Sequence, residues 1–558
     1  MIIFRNLVYF FINLLSTHGI IEGIEFEKFQ TIIPPQLIGD LQKSQPTSTY
    51  SRAFLRKIPF LENQIQNINL LTMKDKNPSP EQNSRRNFIK SSSLALAGFY
   101  IVPRHVLGGP GYVAPSDRLR VAGIGIGGMG FNDVSGVFRS GKVDMVALCD
   151  VDDTRAARSR EAHPNAPYYK DYRIMLEKEE KNIDAVTIST PDHMHAVQAM
   201  MAMKMGKHVY VQKPMTHDIY EARMLTEAAE KYKVVTQMGN QGSSGDGVRQ
   251  MVEWYNAGLI GEATKVWSWT NRPVWPQGIQ WPETPVSPPE DLDWDLWLGT
   301  APYRDYVGNL VPFNWRGWWD YGTGALGDMA CHIMEPPFRV LGLGYPKSAE
   351  CSVGSVYVGE FQRGYFPESC PPSSHITLRF DRPGQPDLEF HWMDGGIQPT
   401  RPEELEPNEI MGDGGNGVII EGTEGKMMCA TYGANPKLLP TSRTQEVNVP
   451  QTEYRVPGGD RGHYNNWVEA CIGGYGSEEF KKLSSPFSVA GPLTESVLMG
   501  NLAIRSYDYR IPRDGSSTQF DYPGRGIKLV WDGPNMKITN FEPANQFVKR
   551  TYRDGYSL

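Results

Sequence analysis

One stretch constrains this chain more than any other: LRVAGIGIGGMG, running from Leu119 to Gly130. Leu119 to Ile124 is a short apolar run suited to a buried parallel strand, and Gly125, Gly127 and Gly130 form G-x-G-x-x-G where a helix should begin. The first glycine allows a tight turn. The second lets the backbone approach a pyrophosphate, and the third lets helix and strand pack closely; the helix amino terminus, with Gly128 and Met129, then faces the phosphates. A second apolar run, Val143 to Leu148, ends in Cys149-Asp150, twenty residues after Gly130. A carboxylate there can accept from both adenosine ribose hydroxyls and repels a 2′-phosphate, which favours NAD over NADP as cofactor.

The alternation continues. Ile183–Ser189, His208–Val211 and Val234–Gln237 read as strands, and His195–Met205 and Ile219–Tyr232 as helices. Strands alternating with helices of this length predict parallel βαβ units, an α/β doubly wound Rossmann sheet over residues 118–240. Ligands sit beyond the carboxyl ends of such strands. That singles out two segments, Thr190-Pro191-Asp192-His193-Met194-His195 and Gln212-Lys213-Pro214.

Together with GALGDMACH at 324–332, these motifs resemble the Gfo/Idh/MocA oxidoreductases, such as glucose-fructose oxidoreductase and inositol dehydrogenase, from about Arg118 to the end. The resemblance implies a Rossmann domain followed by an open-faced α/β domain. It also implies nicotinamide chemistry on a sugar or cyclitol carbinol, with Thr190, Pro191 and His195 near the nicotinamide. The family tripeptide is usually E-K-P; Gln212 stands here where Glu is usual, and this leaves the tuning of Lys213 open.

Lys213 has a case of its own. An ammonium at a strand end beside a nicotinamide can stabilise the alkoxide that precedes hydride departure. Asp328 and His332, four apart on an expected helix, share one face, so an imidazole base sits beside an orienting carboxylate. By resemblance these complete a Lys213, Asp328, His332 triad. Pro336-Pro337 predicts a kink or break after Glu335. No metal is expected, because no carboxylate or Cys completes a ligand set with His193 and His195.

From Glu262 the pattern changes to alternating runs, Ala263–Thr270, His375–Phe380, Leu388–Trp392 and Val418–Glu421, which predict a largely antiparallel sheet in a substrate domain at 241–510. Nine of the 13 Trp lie between Trp267 and Trp319. Within that span Trp315, Arg316 and Trp318 are candidates for sugar contact, since ring faces pack on C–H surfaces and charged groups bind hydroxyls. Asn240, just past the last strand of the first sheet, is a further candidate, with Gln241 beside it. Helices are expected at His463–Cys471 and Ser488–Tyr507, and residues 511–558 as an extension draped over the body with Trp531 as its anchor.

The amino-terminal residues carry targeting information. Ser84-Arg85-Arg86-Asn87-Phe88-Ile89-Lys90 and the small, mildly apolar run after it resemble a twin-arginine export signal, which implies a periplasmic or exported protein, or a cytoplasmic one if the signal is not used. Met73 would place the arginine pair near a start, so residues 1–72 read as an over-extended frame and 73–117 as signal and linker. With 56 Lys plus Arg against 63 Asp plus Glu, the chain has no basic bias for nucleic acid. The expected partner is a small carbohydrate, with no stable membrane span in the mature chain and pairing of subunits through the open sheet. The six Cys show no metal or disulfide spacing; Cys351 and Cys370 could bridge, but nothing in the sequence argues for it. Two other function classes compete with a dehydrogenase: a redox-type glycoside hydrolase of the same superfamily, and a non-catalytic sugar-binding protein suggested by Gln212.

Overall fold

The computed structural model describes residues 118–558, so the export motif and the expected leader lie outside the described residues. The first sheet has six parallel strands in the order β3-β2-β1-β4-β5-β6. They are β1 (Leu119–Ile124), β2 (Val143–Cys149), β3 (Tyr168–Tyr169), β4 (Ala185–Ile188), β5 (His208–Val211) and β6 (Thr236–Met238). The order reverses between β1 and β4, and a ligand crevice is expected at that switch point. Helices α1 (Met129–Phe138), α2 (Asp153–Ala162), α3 (Tyr172–Lys178), α4 (Asp192–Lys204) and α5 (Ile219–Tyr232) connect these strands. The central strands are apolar because helices cover both faces: Val121, Ala185, Val186, Val209 and Val211 are all fully buried. Helix α5 starts in a capping box, with Asp218 accepting from the Glu221 amide and the Glu221 side chain closing back.

The second sheet has nine strands: β7 (Ala263–Trp269), β8 (Ser348–Val353), β9 (Ser374–Phe380), β10 (Leu388–Met393), β11 (Gly417–Gly422), β12 (Gly425–Cys429), β13 (Lys437–Leu439), β14 (Leu529–Asp532) and β15 (Lys537–Ile538). Their order is β13-β12-β11-β7-β10-β9-β8-β14-β15. Every pairing is antiparallel except β7 with β10, where Lys265 to Trp269 run beside Glu389 to Met393 in the same direction. Period-two alternation gives each strand two faces. Val266, Phe390, Trp392, Ile376 and Leu378 point inward to the core shared with α5 and α9 (Phe487–Tyr507), while Lys265, His391, His375 and Arg379 point outward.

Two expectations change here. The carboxyl-terminal extension does not merely drape: Leu529 and Val530 pair with Ala349 and Ser348, so β14 extends the edge of the second sheet, and Trp531 is buried. The Pro336-Pro337 break falls between two helices, α6 (Gly324–Ile333) and α7 (Glu335–Val340), and the prolines occupy the first turn of α7, where no backbone donor is lost. Helix α8 (His463–Gly473) packs Tyr464, Trp467 and Val468 against Val121 and Tyr210 of the first sheet. All six cysteines are free, so Cys351 and Cys370 do not bridge. No helix among the described residues is long and apolar enough to cross a membrane.

Candidate active site

A cavity of about 410 Å³ opens at the switch point. The ends of β1, β4 and β5 supply Gly125, Thr190, Pro191, Gln212 and Lys213 to its wall, and α6 supplies Asp328 and His332. The glycine turn behaves as its spacing requires. Gly125 has φ +71°, a conformation open to glycine, and a Cβ on Gly130 would sit 1.7 Å from the Gly125 carbonyl oxygen. The amides of Gly128 and Met129 have no backbone acceptor and face the amino terminus of α1, which no side chain caps.

Asp150 lines the cavity, and its carboxylate accepts from the Ile126 amide at 2.8 Å, the Gly127 amide at 3.1 Å and the Asp152 amide at 3.0 Å. It therefore holds the glycine turn as well as facing the position expected for a ribose. Burial pushes its carboxyl up despite those three donors. Gly127 has a second reason for lacking a side chain: a Cβ there would meet the Arg155 backbone oxygen at 3.0 Å. Arg155, absent from the sequence reading, lines the cavity beside Gly128 and puts a cation next to the turn. These features fit a dinucleotide: open helix amides, a cradle that a Cβ would fill and an acid at the end of β2.

The reacting groups converge on the same space. Lys213 Nζ donates to Asp328 Oδ1 at 2.9 Å and to the Asp328 carbonyl oxygen at 2.7 Å, which leaves one ammonium proton uncommitted. Arg316 Nε approaches Asp328 Oδ1 at 3.4 Å, with its guanidinium over the rings of Trp315 and Phe313. Burial raises the Asp328 carboxyl, but Lys213 and Arg316 outweigh it and hold the group below its ordinary value. Burial, then repulsion from Lys213, pushes His332 down to about 3, so its ring is neutral at pH 7, and its Nδ1 has no partner. A neutral imidazole beside an anchored ammonium can receive a carbinol proton.

Gln212 is bound from below. Its Nε2 donates to both oxygens of Asp133, at 3.0 and 2.9 Å, and Asp133 also accepts from Ser189 Oγ at 2.6 Å and from the Tyr464 hydroxyl at 2.8 Å. Asp133 is completely buried, and burial raises it to about 6. Gln212 is thus anchored to a buried carboxyl from α1 that does not itself line the cavity. Asp133 was legible in principle, because Gly130, Asp133, Val134 and Val137 share the buried face of α1.

Tyr432 is a further group the sequence reading missed. It sits in a turn at φ +66°, lines the cavity, and meets the His332 ring edge-on with centroids 4.8 Å apart. Gly242 makes room for it: a Cβ there would lie 2.5 Å from Tyr432 Cβ.

Three expected contacts are corrected. His195 does not line the cavity; its ring nitrogens lie 2.8 Å from the carbonyls of Pro214 and Thr190, so it ties the two strand-end loops together. Asn240 is buried, with Nδ2 toward the Cys331 carbonyl, and Gln241 lines the cavity instead. Trp318 packs edge-on against Trp281 in a separate aromatic core, whereas Trp315 and Arg316 do reach the cavity. Asp192, inside the first strand-end segment but given no role by the sequence, lines the cavity and accepts from the amide and hydroxyl of Thr323.

Residues 119–240 match the family model for the Gfo/Idh/MocA oxidoreductase family, NAD-binding Rossmann fold, and residues 249–353 match that family's C-terminal alpha/beta domain. A glycosyl hydrolase family 109 protein of Shewanella baltica (strain OS155) is 28% identical over 202 residues, which cover 32% of this chain and 44% of that one. An alpha-N-acetylgalactosaminidase of Shewanella oneidensis is 27% identical over the same length and coverage. The chain thus spans less than half the length of these curated relatives. Among solved structures, a WlbA dehydrogenase from Bordetella pertussis, in complex with NADH and UDP-GlcNAcA, is 16% identical with a TM-score of 0.47, covering 71% of this chain and 99% of its own.

Proposed function

We propose that this Gfo/Idh/MocA protein oxidises or reduces a carbinol of a carbohydrate or cyclitol with bound NAD. The observation that carries the reading is the meeting of the glycine turn with Lys213, Asp328 and His332 in one cavity. When bound, NAD supplies the hydride acceptor or donor. Lys213 holds the reacting oxygen with its free ammonium proton, Asp328 fixes that ammonium, and His332 takes or returns the carbinol proton. Trp315 and Arg316 give an apolar face and a fork of donors for a polyol.

The second reading, a redox-type glycoside hydrolase, is favoured by the names of the Shewanella relatives and by Tyr432, which places a phenol beside His332. A retired, purely sugar-binding scaffold is disfavoured by the Lys213–Asp328 pair at 2.9 Å. The deciding experiment is mass spectrometry of the nucleotide that co-purifies, followed by a screen of glycosides and keto-sugars. Net nucleotide turnover supports the dehydrogenase. Aglycone release without net change in NAD supports the hydrolase, and neither reaction with any carbohydrate overturns both. We further propose export by the twin-arginine route, read from Arg85 and Arg86, and pairing of subunits through the outer face of the second sheet around Lys265, His375 and His391. Replacing both arginines with lysine should abolish export, and light scattering should show an even number of subunits.

A further inference from the structure

We infer that a second cleft, between α5, α9 and the carboxyl-terminal segment, binds a small oxyanion through a phosphate or carboxylate group. It encloses about 240 Å³, and its lining includes His217, Trp319, Asn501, Arg505, Lys549 and Thr551.

Arg505, in the last turn of α9, makes no ion pair or hydrogen bond among the described residues. Its guanidinium lies 4.3 Å from the Phe547 ring centroid and 5.6 Å from that of Trp319. Other arginines around it are paired: Arg550 with Glu221 at 2.7 Å, Arg223 with Glu495 at 2.7 Å and Arg304 with Asp320 at 3.0 Å. The acids near the cleft are therefore taken. Asp218 accepts from the Glu221 and Arg550 amides, and Glu221 from Arg550 and Tyr552. Lys549 likewise has no carboxylate among the described residues, its ammonium lying 4.0 Å from the Tyr220 ring centroid. Asn501, one turn before Arg505, donates to the Thr323 carbonyl at 3.0 Å, and its Oδ1 is left without a partner. Both ring nitrogens of His217 are also without one.

The cleft thus holds two cations that make no direct ion pair among the described residues, with Asp218 in its wall bound to Arg550 and the Glu221 amide. A partly desolvated guanidinium with no direct carboxylate or hydrogen-bond partner is costly, and its planar fork matches the two oxygens of a phosphate or carboxylate. The segment Gln546 to Thr551 forms one wall and is fixed by Arg550. The opposite wall reaches the active cavity through Thr323, which bonds Asp192 on one side and Asn501 on the other.

The test is isothermal titration calorimetry of the full-length, NAD-loaded protein with inorganic phosphate and, separately, acetate, at fixed ionic strength in chloride. One saturable site is expected, weakened roughly tenfold or more in Arg505→Met and unchanged in Lys213→Met. Preference for phosphate or for acetate then identifies the group. Lys549→Ala, on the surface segment, should weaken binding in the same direction and serves if Arg505→Met does not fold. The proposal is overturned if neither anion saturates the wild-type protein at millimolar concentration, or if the anion is held equally well after Arg505 or Lys549 is replaced.

Discussion

Restoring the more usual acid at position 212 should damage the protein. Gln212 Nε2 lies 2.9 and 3.0 Å from the Asp133 oxygens, so Gln212→Glu sets two buried carboxyls against each other. At about 3 Å and an effective dielectric of ~20 the repulsion is ~5.5 kcal/mol. A cheaper escape exists, because the introduced glutamate can keep a proton and donate it to Asp133. Holding a proton at pH 7 on a group with an ordinary value of ~4.3 costs about 3.7 kcal/mol, and the same step at pH 5 costs about 1 kcal/mol. The smaller cost governs, so the variant should lose about 3 to 4 kcal/mol at pH 7 and about 1 at pH 5. The sign follows from linkage: a carboxyl raised in the folded state keeps its stability below the unfolded value and loses it as pH rises. Urea unfolding followed by circular dichroism at the two pH values measures the difference. The double variant Asp133→Asn, Gln212→Glu reverses the pair and should recover all but ~1 kcal/mol of the loss at pH 7. Equal destabilisation at pH 5 and 7, or no recovery in the double variant, would refute the reasoning.

Other outcomes are expected. Gly130→Ala should prevent nucleotide loading, since its Cβ would collide with the Gly125 carbonyl oxygen; Gly141→Ala, where φ is +74° and no atom lies within 4 Å, should leave loading intact and cost only about 1 kcal/mol, as mass spectrometry and thermal melts can check. Arg550→Ala strands the fully buried Glu221 and should cost about 3 to 5 kcal/mol, with the carboxyl-terminal segment becoming sensitive to limited proteolysis; unchanged cleavage would contradict this. His332 is held neutral down to about pH 3, so its nitrogen-15 signals should not titrate between pH 5 and 8, and in Lys213→Met its value should rise as the repulsion goes.

The first sheet was legible because buried parallel strands leave unbroken apolar runs, and β1 and β5 fall where those runs lie. Asp328 and His332 were legible for a similar local reason, the turn of one helix. What sequence could not show depends on contacts between distant positions. Asp133 meets Gln212 79 residues away, and Tyr432 enters from a turn between β12 and β13 through the space left by Gly242. Neighbours were also confused where the chain rotates: the turn starting at Gln241 sends Asn240 inward and Gln241 to the cavity. Strand β14 carries only Leu529 and Trp531 as a buried alternation, too short a signal to separate a strand from a draped loop.

The central claim is that Lys213, Asp328 and His332 act on a carbinol at a bound nicotinamide. It is tested most directly by offering the wild-type protein carbohydrates deuterated at the carbinol carbons and reading the recovered nucleotide by NMR. The account predicts deuterium on the nicotinamide C4, at a rate reduced about 10² to 10⁴-fold in Lys213→Ala although nucleotide is retained. An unlabelled nucleotide with every carbohydrate, or labelling at the same rate without Lys213, would contradict it.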